Sequence, residues 1–233
     1  MSEQPTTELP PLTRDFIDAG VSQRAARIMA AALALFAEKG YAATTVREIV
    51  NDADVTNPML YYYFDSKKGL FVALIDILFG SLATTIRQII DDTDRLRPRL
   101  RRIARAHFDA CHDAPEALRF IYSVTFGPTK SRPEFELPDS EQAVPRMLEQ
   151  SFCDAIECGE LTPAANFDAL FLTEHFMGLI SNHLMGFLAL HDQPDSTLPH
   201  RNSIDDYLSD HALDEMLDFF FSGAGRTDSE ATS

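Results

Sequence analysis

The sequence has no tryptophan, only three cysteines and no run of alternating apolar and polar residues, and its 20 basic residues are outnumbered by 36 acids. Each shortage excludes something. Cys111, Cys153 and Cys158 are odd in number and form no Cys-x-x-Cys pair, so neither a disulfide framework nor a zinc ribbon is expected, and a cytoplasmic location follows. Without period-two alternation, sandwiches and barrels drop out and an all-α chain remains. Serines, histidines and acids are present, but Gly-x-Ser-x-Gly, a P-loop, Gly-x-Gly-x-x-Gly and His-Glu-x-x-His are all missing. No enzyme and no cofactor are therefore expected. Phe167 to Leu190 is long and apolar enough to raise a membrane span, yet Asp168, Glu174, His175, Asn182 and His183 interrupt it. These groups are costly in lipid, so the reading is a buried helix and no membrane partner. Met1 to Leu12 is polar and Pro-containing, unlike a signal peptide.

A net charge of −16 taken alone argues against nucleic acid, but the charge is unevenly placed. Val21 to Leu70 carries six Lys and Arg against five Asp and Glu, whereas Phe71 to the end carries 13 against 27. A near-neutral head followed by an acidic body would meet DNA through the head alone, because phosphate repels the rest.

Within that head, Thr45 to Lys67 reads as two short helices joined by a tight turn. Thr45 stands three residues before Glu48, the spacing of a capping box that starts a helix near Val46. Val46, Ile49, Val50 and Ala53 give it one apolar face. Asp54 ends it where a left-handed backbone is needed and Gly is the easy choice. In the second helix Thr56 is placed as N-cap and Pro58 in the first turn, where a missing N–H costs nothing. At 100° per residue Leu60, Tyr63 and Phe64 project inward, whereas Pro58, Tyr61 and Tyr62 project outward. Two outward phenols suit phosphate oxygens and thymine methyls, Asn57 suits the adenine edge, and Lys67 offers a point charge to the backbone.

The succession LALFAEKGY, ATTVREI, a turn, TNPMLYYYF and SKKGL resembles the N-terminal domain of TetR-type transcriptional regulators over about Ser22 to Leu82. The resemblance implies that Thr44, Thr45 and Arg47 touch phosphates or the groove edge. Asn57, Pro58, Met59, Tyr61 and Tyr62, with Thr56 at the helix start, would form the reading face, and Lys67 would anchor the backbone. Asp54 and Asp65 depart from the usual pattern, at the turn and at the end of the second helix.

The expected fold is a three-helix DNA-binding domain with a helix-turn-helix, followed by a larger C-terminal helical domain for ligand binding and dimerisation. Residues 1–20 are expected as a disordered or loosely ordered arm and 21–70 as the DNA-binding domain, with its motif at about 45–64. Residues 71–222 would form the effector-binding and dimerisation domain, and 223–233 a flexible tail. Helices are expected from Ser22 to Lys39, Ser66 to Asp91, Pro98 to Asp113, Pro115 to Phe126, Glu141 to Gly159, Asn166 to His191 and Ile204 to Phe221.

In the body, Phe171, Gly178, Ser181, Met185 and Ala189 make a strip of small and soft residues, and Leu213, Leu217 and Phe220 line the last helix. The family pairs two such helices per subunit, so a homodimer on a palindromic operator is implied. Aromatic and polar residues supply the candidate effector pocket: His107, Phe108, Cys111, Tyr122, Phe126, Met147, Phe152, Phe171, Glu174 and His175. His107 and Cys111 lie one turn apart, but no third ligand is spaced to match, so no metal is expected. Arg95, Arg97, Arg99, Arg101, Arg102 and Arg105 read as a solvated helix face balancing nearby acids, the alternative being a face turned to DNA or to an acidic effector. The function implied is a repressor that releases its operator when a small molecule enters the body. The alternative is an all-helical protein-binding module, or a small-molecule-binding protein without operator activity.

Overall fold

The computed structural model describes residues 11–93, 95–128, 132–136, 139–163, 167–192 and 205–223. Among these there are ten α-helices and no strand: α1 (Pro11–Asp18), α2 (Gln23–Ala43), α3 (Val46–Asp52), α4 (Asn57–Phe64), α5 (Lys67–Asp91), α6 (Leu96–Asp113), α7 (Pro115–Thr125), α8 (Ala143–Glu157), α9 (Ala169–Asp192) and α10 (Asp210–Ser222). Short 3-10 turns precede α8 and α10. The chain divides into two compact units, one holding the described residues up to Ser81 together with Ala114–Glu141, the other holding Leu82–Asp113 and the described residues from Gln142 onward.

The first unit, the head, is larger than the charge boundary at Leu70 suggests, for an aromatic reason. Phe36 of α2, Phe71 of α5 and Phe120 of α7 meet with ring centroids 5.2–5.9 Å apart, and Phe135 adds a fourth ring 5.4 Å from Phe71. Three of these contacts are edge-on and the Phe36–Phe120 pair is stacked with its rings 20° apart; edge-on pairs are among those that aromatic quadrupoles favour. Phe120 and Val124 are buried in the same core as Leu60, Leu70 and Leu74, so α7 belongs to the head although it lies more than 30 residues further along the sequence. Arg132 donates to the Val124 carbonyl, and the Ser140 hydroxyl donates to Asp76; both fasten the segment after α7 to this unit.

The loosely ordered arm expected for residues 1–20 is corrected over its second half. Residues 11–18 form α1, which packs on α2 with Phe16 and Thr13 buried. Leu12, Phe16 and Ile17 share one face at helical spacing, and Pro11 stands at the first helical position, where it is favoured. Residues 1–10 and the tail 224–233 lie outside the described residues.

The second unit, the body, is built from α6, α8, α9 and α10. Its interior holds Leu100, Ile103 and Phe108 from α6, Leu148 and Phe152 from α8, Phe176, Ile180 and Leu184 from α9, and Leu213, Met216 and Leu217 from α10. Glu160 caps α6 by accepting from the Leu96 amide at 2.9 Å, which answers one of the open N–H groups at a helix start. The long apolar helix α5 has the length and composition to cross a membrane, but Leu70, Phe71, Leu74, Ile75, Ala83, Ile86 and Ile89 along it are buried within the protein.

Candidate nucleic-acid interface

The helix-turn-helix is held by polar groups that leave little of its geometry free. Thr45 and Glu48 form the expected capping box: the Glu48 amide donates to Thr45 Oγ1 at 3.3 Å, and Glu48 Oε2 accepts from the Thr45 amide and hydroxyl, each at 2.7 Å. Lys39 donates to the other carboxylate oxygen. That contact, with the bonds from Thr45, lowers the Glu48 pKa from 4.5 to about 2.

At the far end of α3 the amides of Asp54 and Val55 donate back to the carbonyls of Asn51 and Val50. This is a Schellman closure, which needs a left-handed residue. Asp54 supplies it with φ +50°, and its carboxylate lies 3.4 Å from Arg27. A second turn follows α4. Asp65 has φ +60° and its amide closes on the Tyr61 carbonyl at 2.9 Å. Ser66 Oγ then accepts from the Gly69 amide at 2.9 Å, capping α5. Residue 69 must be glycine, since a Cβ there would lie 2.0 Å from the Phe64 carbonyl oxygen. The two aspartates that depart from the family pattern thus occupy the two left-handed positions of the motif.

Between these turns α4 faces two ways. Leu60 is fully buried and Tyr63 and Phe64 are half-buried, whereas Tyr61 is 48% and Tyr62 81% exposed. Asn57 and Pro58 are exposed at the start of α4 and Met59 is half-buried. Thr56 is the N-cap by its backbone and is exposed, but its hydroxyl makes no capping bond. Arg47 is exposed and enters no ion pair among the described residues.

Two expected contact residues are placed differently. Thr44 is buried, and its hydroxyl donates to the Gly40 carbonyl at 2.9 Å and reaches the Leu35 carbonyl at 3.3 Å. It braces the bend where α2 departs from helical geometry at Gly40, and its side chain is not presented to a groove. Lys67 donates to the carbonyls of Tyr41 and Thr44 at 2.9 and 2.8 Å, with its ammonium 4.0 Å from the centre of the Tyr41 ring. Burial lowers its pKa. Two of its three donors therefore tie α5 to the end of α2. Lys39, which steadies Glu48, was not singled out from sequence: the two residues are nine apart across the Gly40 bend, and no local spacing marks the pair.

The effector candidates separate. His107, Phe108 and Cys111 are buried on one face of α6, and Phe152 of α8 is buried with Met147 half-buried nearby in sequence. His107 Nδ1 lies 2.8 Å from the Ile103 carbonyl, and burial pushes its pKa below 6.5. Tyr122 and Phe126 lie on and just after α7, in the head unit. Glu174 and His175 are exposed on α9 and do not join an interior site. His175 stacks on half-buried Phe171 at 3.7 Å, and Phe171 on exposed Phe167 at 4.3 Å. The polar residues that α9 does turn inward are Thr173 and His183. The strip on the outer side of α9 is exposed at Gly178, Met185 and Ala189. On α10, however, Leu213 and Leu217 are buried in their own unit, and Phe219 is the exposed apolar residue.

A capped helix, a Schellman turn and a second short helix with an exposed aromatic face together make a helix-turn-helix, an arrangement able to present a helix to the DNA major groove. Residues 28–74 match the family model described as bacterial regulatory proteins, tetR family. The match covers the helix-turn-helix and the helices beside it, in the N-terminal part of the chain. The chain is similar to the HTH-type transcriptional activator FasR of Mycolicibacterium smegmatis, 32% identical over 100 residues, covering 43% of this chain and 46% of the relative. It is also similar to the biofilm operon icaADBC HTH-type negative transcriptional regulator IcaR of Staphylococcus aureus, 38% identical over 56 residues, 24% of this chain and 30% of that one. These matches span less than half the length of either relative. The whole fold is similar to that of the transcriptional regulator FadR from Bacillus subtilis in complex with stearoyl-CoA, with a TM-score of 0.66 and 17% identity over 85% of this chain and 98% of that one.

Proposed function

We propose that the protein is a cytoplasmic, ligand-responsive transcriptional regulator, without enzymatic activity, that binds a palindromic operator as a homodimer and releases it when a small molecule occupies the body. The observation that carries this reading is the two-faced α4: a helix with Leu60 fully buried leaves Tyr61 and Tyr62 in solvent, with exposed Asn57 and Thr56 at its start. Reading a two-fold site needs two copies, and exposed Leu170, Met185 and Phe219 give α9 and α10 apolar surface for a second copy. The named FadR relative was seen with stearoyl-CoA, so long-chain acyl-CoA is the first effector to try. Such a ligand acts only by its differential affinity for the DNA-competent and DNA-incompetent states.

The test is retention of genomic fragments on a filter. Saturable retention that falls steeply with salt and is relieved by acyl-CoA is expected; no retention at low salt would leave a protein-binding module in its place. On a selected operator, Asn57→Ala should relax preference at one base pair by about 1–3 kcal/mol. Unchanged preference would remove Asn57 from the reading face.

A further inference from the structure

The arginine run on α6 meets α10 in register. Arg97, Arg101 and Arg105 recur every fourth residue, as do Asp210, Asp214 and Asp218, so two antiparallel helices can pair them as three rungs. Arg97 pairs with Asp218. Arg101 takes Asp214 at 2.8 Å and Asp210 at 3.0 Å. The third rung stays open: Asp210, already held by Arg101, is 3.8 Å from Arg105 Nη1, beyond hydrogen-bond reach. Asp109 Oδ1 is 2.9 Å from Arg105 Nε, yet it is out of line for a hydrogen bond, and Nε is buried without a partner. Among the described residues Arg105 donates no hydrogen bond, although a guanidinium carries five N–H groups in a planar fork.

Arg105 lines a cavity of about 370 Å³ in the body. Its other walls are Asp109 and His112 of α6, Phe187 of α9 and Leu208 just before α10. The Leu208 wall is fixed by its neighbour: the Tyr207 ring lies so close to α9 that a Cβ at Gly186 would stand 2.2 Å from it, and the Tyr207 carbonyl is 3.2 Å from His183 Nδ1. The cavity is polar on the α6 side and apolar on the other, a combination that orients a small amphipathic molecule.

We propose that this cavity binds a small organic monoanion, a carboxylate on a ring or short apolar body. The carboxylate engages the Arg105 fork bidentately, with the His112 ring beside it, and the apolar part lies over Phe187 and Leu208. Asp109 and the neighbouring Asp113 disfavour a dianion such as a phosphate monoester, because like charges repel at this range. The site is separate from the DNA-reading surface and stands or falls without it.

Titration calorimetry on the full chain tests it, with benzoate as probe and with acetate, benzylamine and phenyl phosphate as comparisons. Benzoate should saturate with a dissociation constant on the order of 1 mM or below, and each comparison should bind at least about tenfold more weakly. Arg105→Gln should weaken benzoate about tenfold or more, and His112→Ala several-fold. Absence of saturation by about 10 mM benzoate, equal or tighter binding of any comparison molecule, or an unchanged constant in Arg105→Gln would overturn the proposal. If Arg105→Gln fails to fold by circular dichroism, exposed His112→Ala decides, and benzoate affinity unchanged by it overturns the proposal equally. Filter retention of DNA, run in parallel, reports separately on the head.

Discussion

At the helix junctions of the head, polar side chains are tied to backbone, whereas the arginine face of α6 in the body is tied to side chains of α10. Thr44, Thr45, Ser66 and Lys67 each bond a main-chain carbonyl or amide, and each stands at a junction between α2, α3, α4 and α5. Arg97 and Arg101 instead meet Asp210, Asp214 and Asp218 through exposed side-chain ends at the surface. A backbone bond fixes a helix end to a few tenths of an ångström, which a groove-reading helix needs. A surface ion pair fixes register but yields to small slides and contributes at most about 1 kcal/mol. The contrast fits the proposed division between a rigid DNA reader and a ligand-responsive body.

The largest expected effect breaks the head at its aromatic centre. Phe71 touches Phe36, Tyr41, Phe120 and Phe135, so Phe71→Ala should cost about 3–5 kcal/mol, read by urea unfolding. If α7 is part of the head's cooperative unit, its amides should lose hydrogen-exchange protection together with those of α2. Protection of α7 unchanged while α2 opens would place α7 outside that unit.

Next in size is Lys67→Ala. It leaves the carbonyls of Tyr41 and Thr44 without their partner and should cost the head about 1–3 kcal/mol. Arg47→Ala, which removes an exposed cation without an ion pair among the described residues, should leave stability unchanged and lower the salt dependence of DNA binding by about one phosphate contact. The pair separates a residue that positions the motif from one proposed to touch DNA. A Lys67→Ala protein of unchanged stability would restore the sequence-based role of Lys67 as a backbone anchor.

What could be read from the sequence follows the same division. The capping box, the left-handed Asp54 and the two faces of α4 all rest on residues within a few positions of one another, and local spacing encodes them. The sites of Thr44 and Lys67 were missed because both depend on a bend at Gly40 that brings the end of α2 over α5, a contact spanning 26 residues between Lys67 and Tyr41. The arginine run was legible as a face balanced by acids, but its partners on α10 stand more than 100 residues away and no spacing names them. In α9 the sequence does not mark Glu174 and His175 as surface residues, because the helix is apolar nearly all round. The inward set at Phe176, Ile180, His183 and Phe187 shows its true phase, with Glu174 and His175 turned to solvent.

The smallest effects are those of acid, and they should reach the body before the head. His107 has its folded pKa pushed below 6.5 by burial, so the unfolded body takes up a proton first. The stability due to neutral His107 is complete above pH 6.5 and is lost as pH falls toward the folded pKa. Glu48 is also lowered, from 4.5 to about 2, so its support of the α3 cap is complete above pH 4.5 and disappears only between there and pH 2. Hydrogen exchange followed from pH 7 to pH 5 should therefore show α6 amides losing protection, after correction for intrinsic rates, while α3 amides hold. His107→Gln removes the titrating group and should flatten the α6 response over that range. If α3 opened first, or if α6 responded identically in His107→Gln, the buried imidazole would not be what makes the body the more acid-sensitive unit.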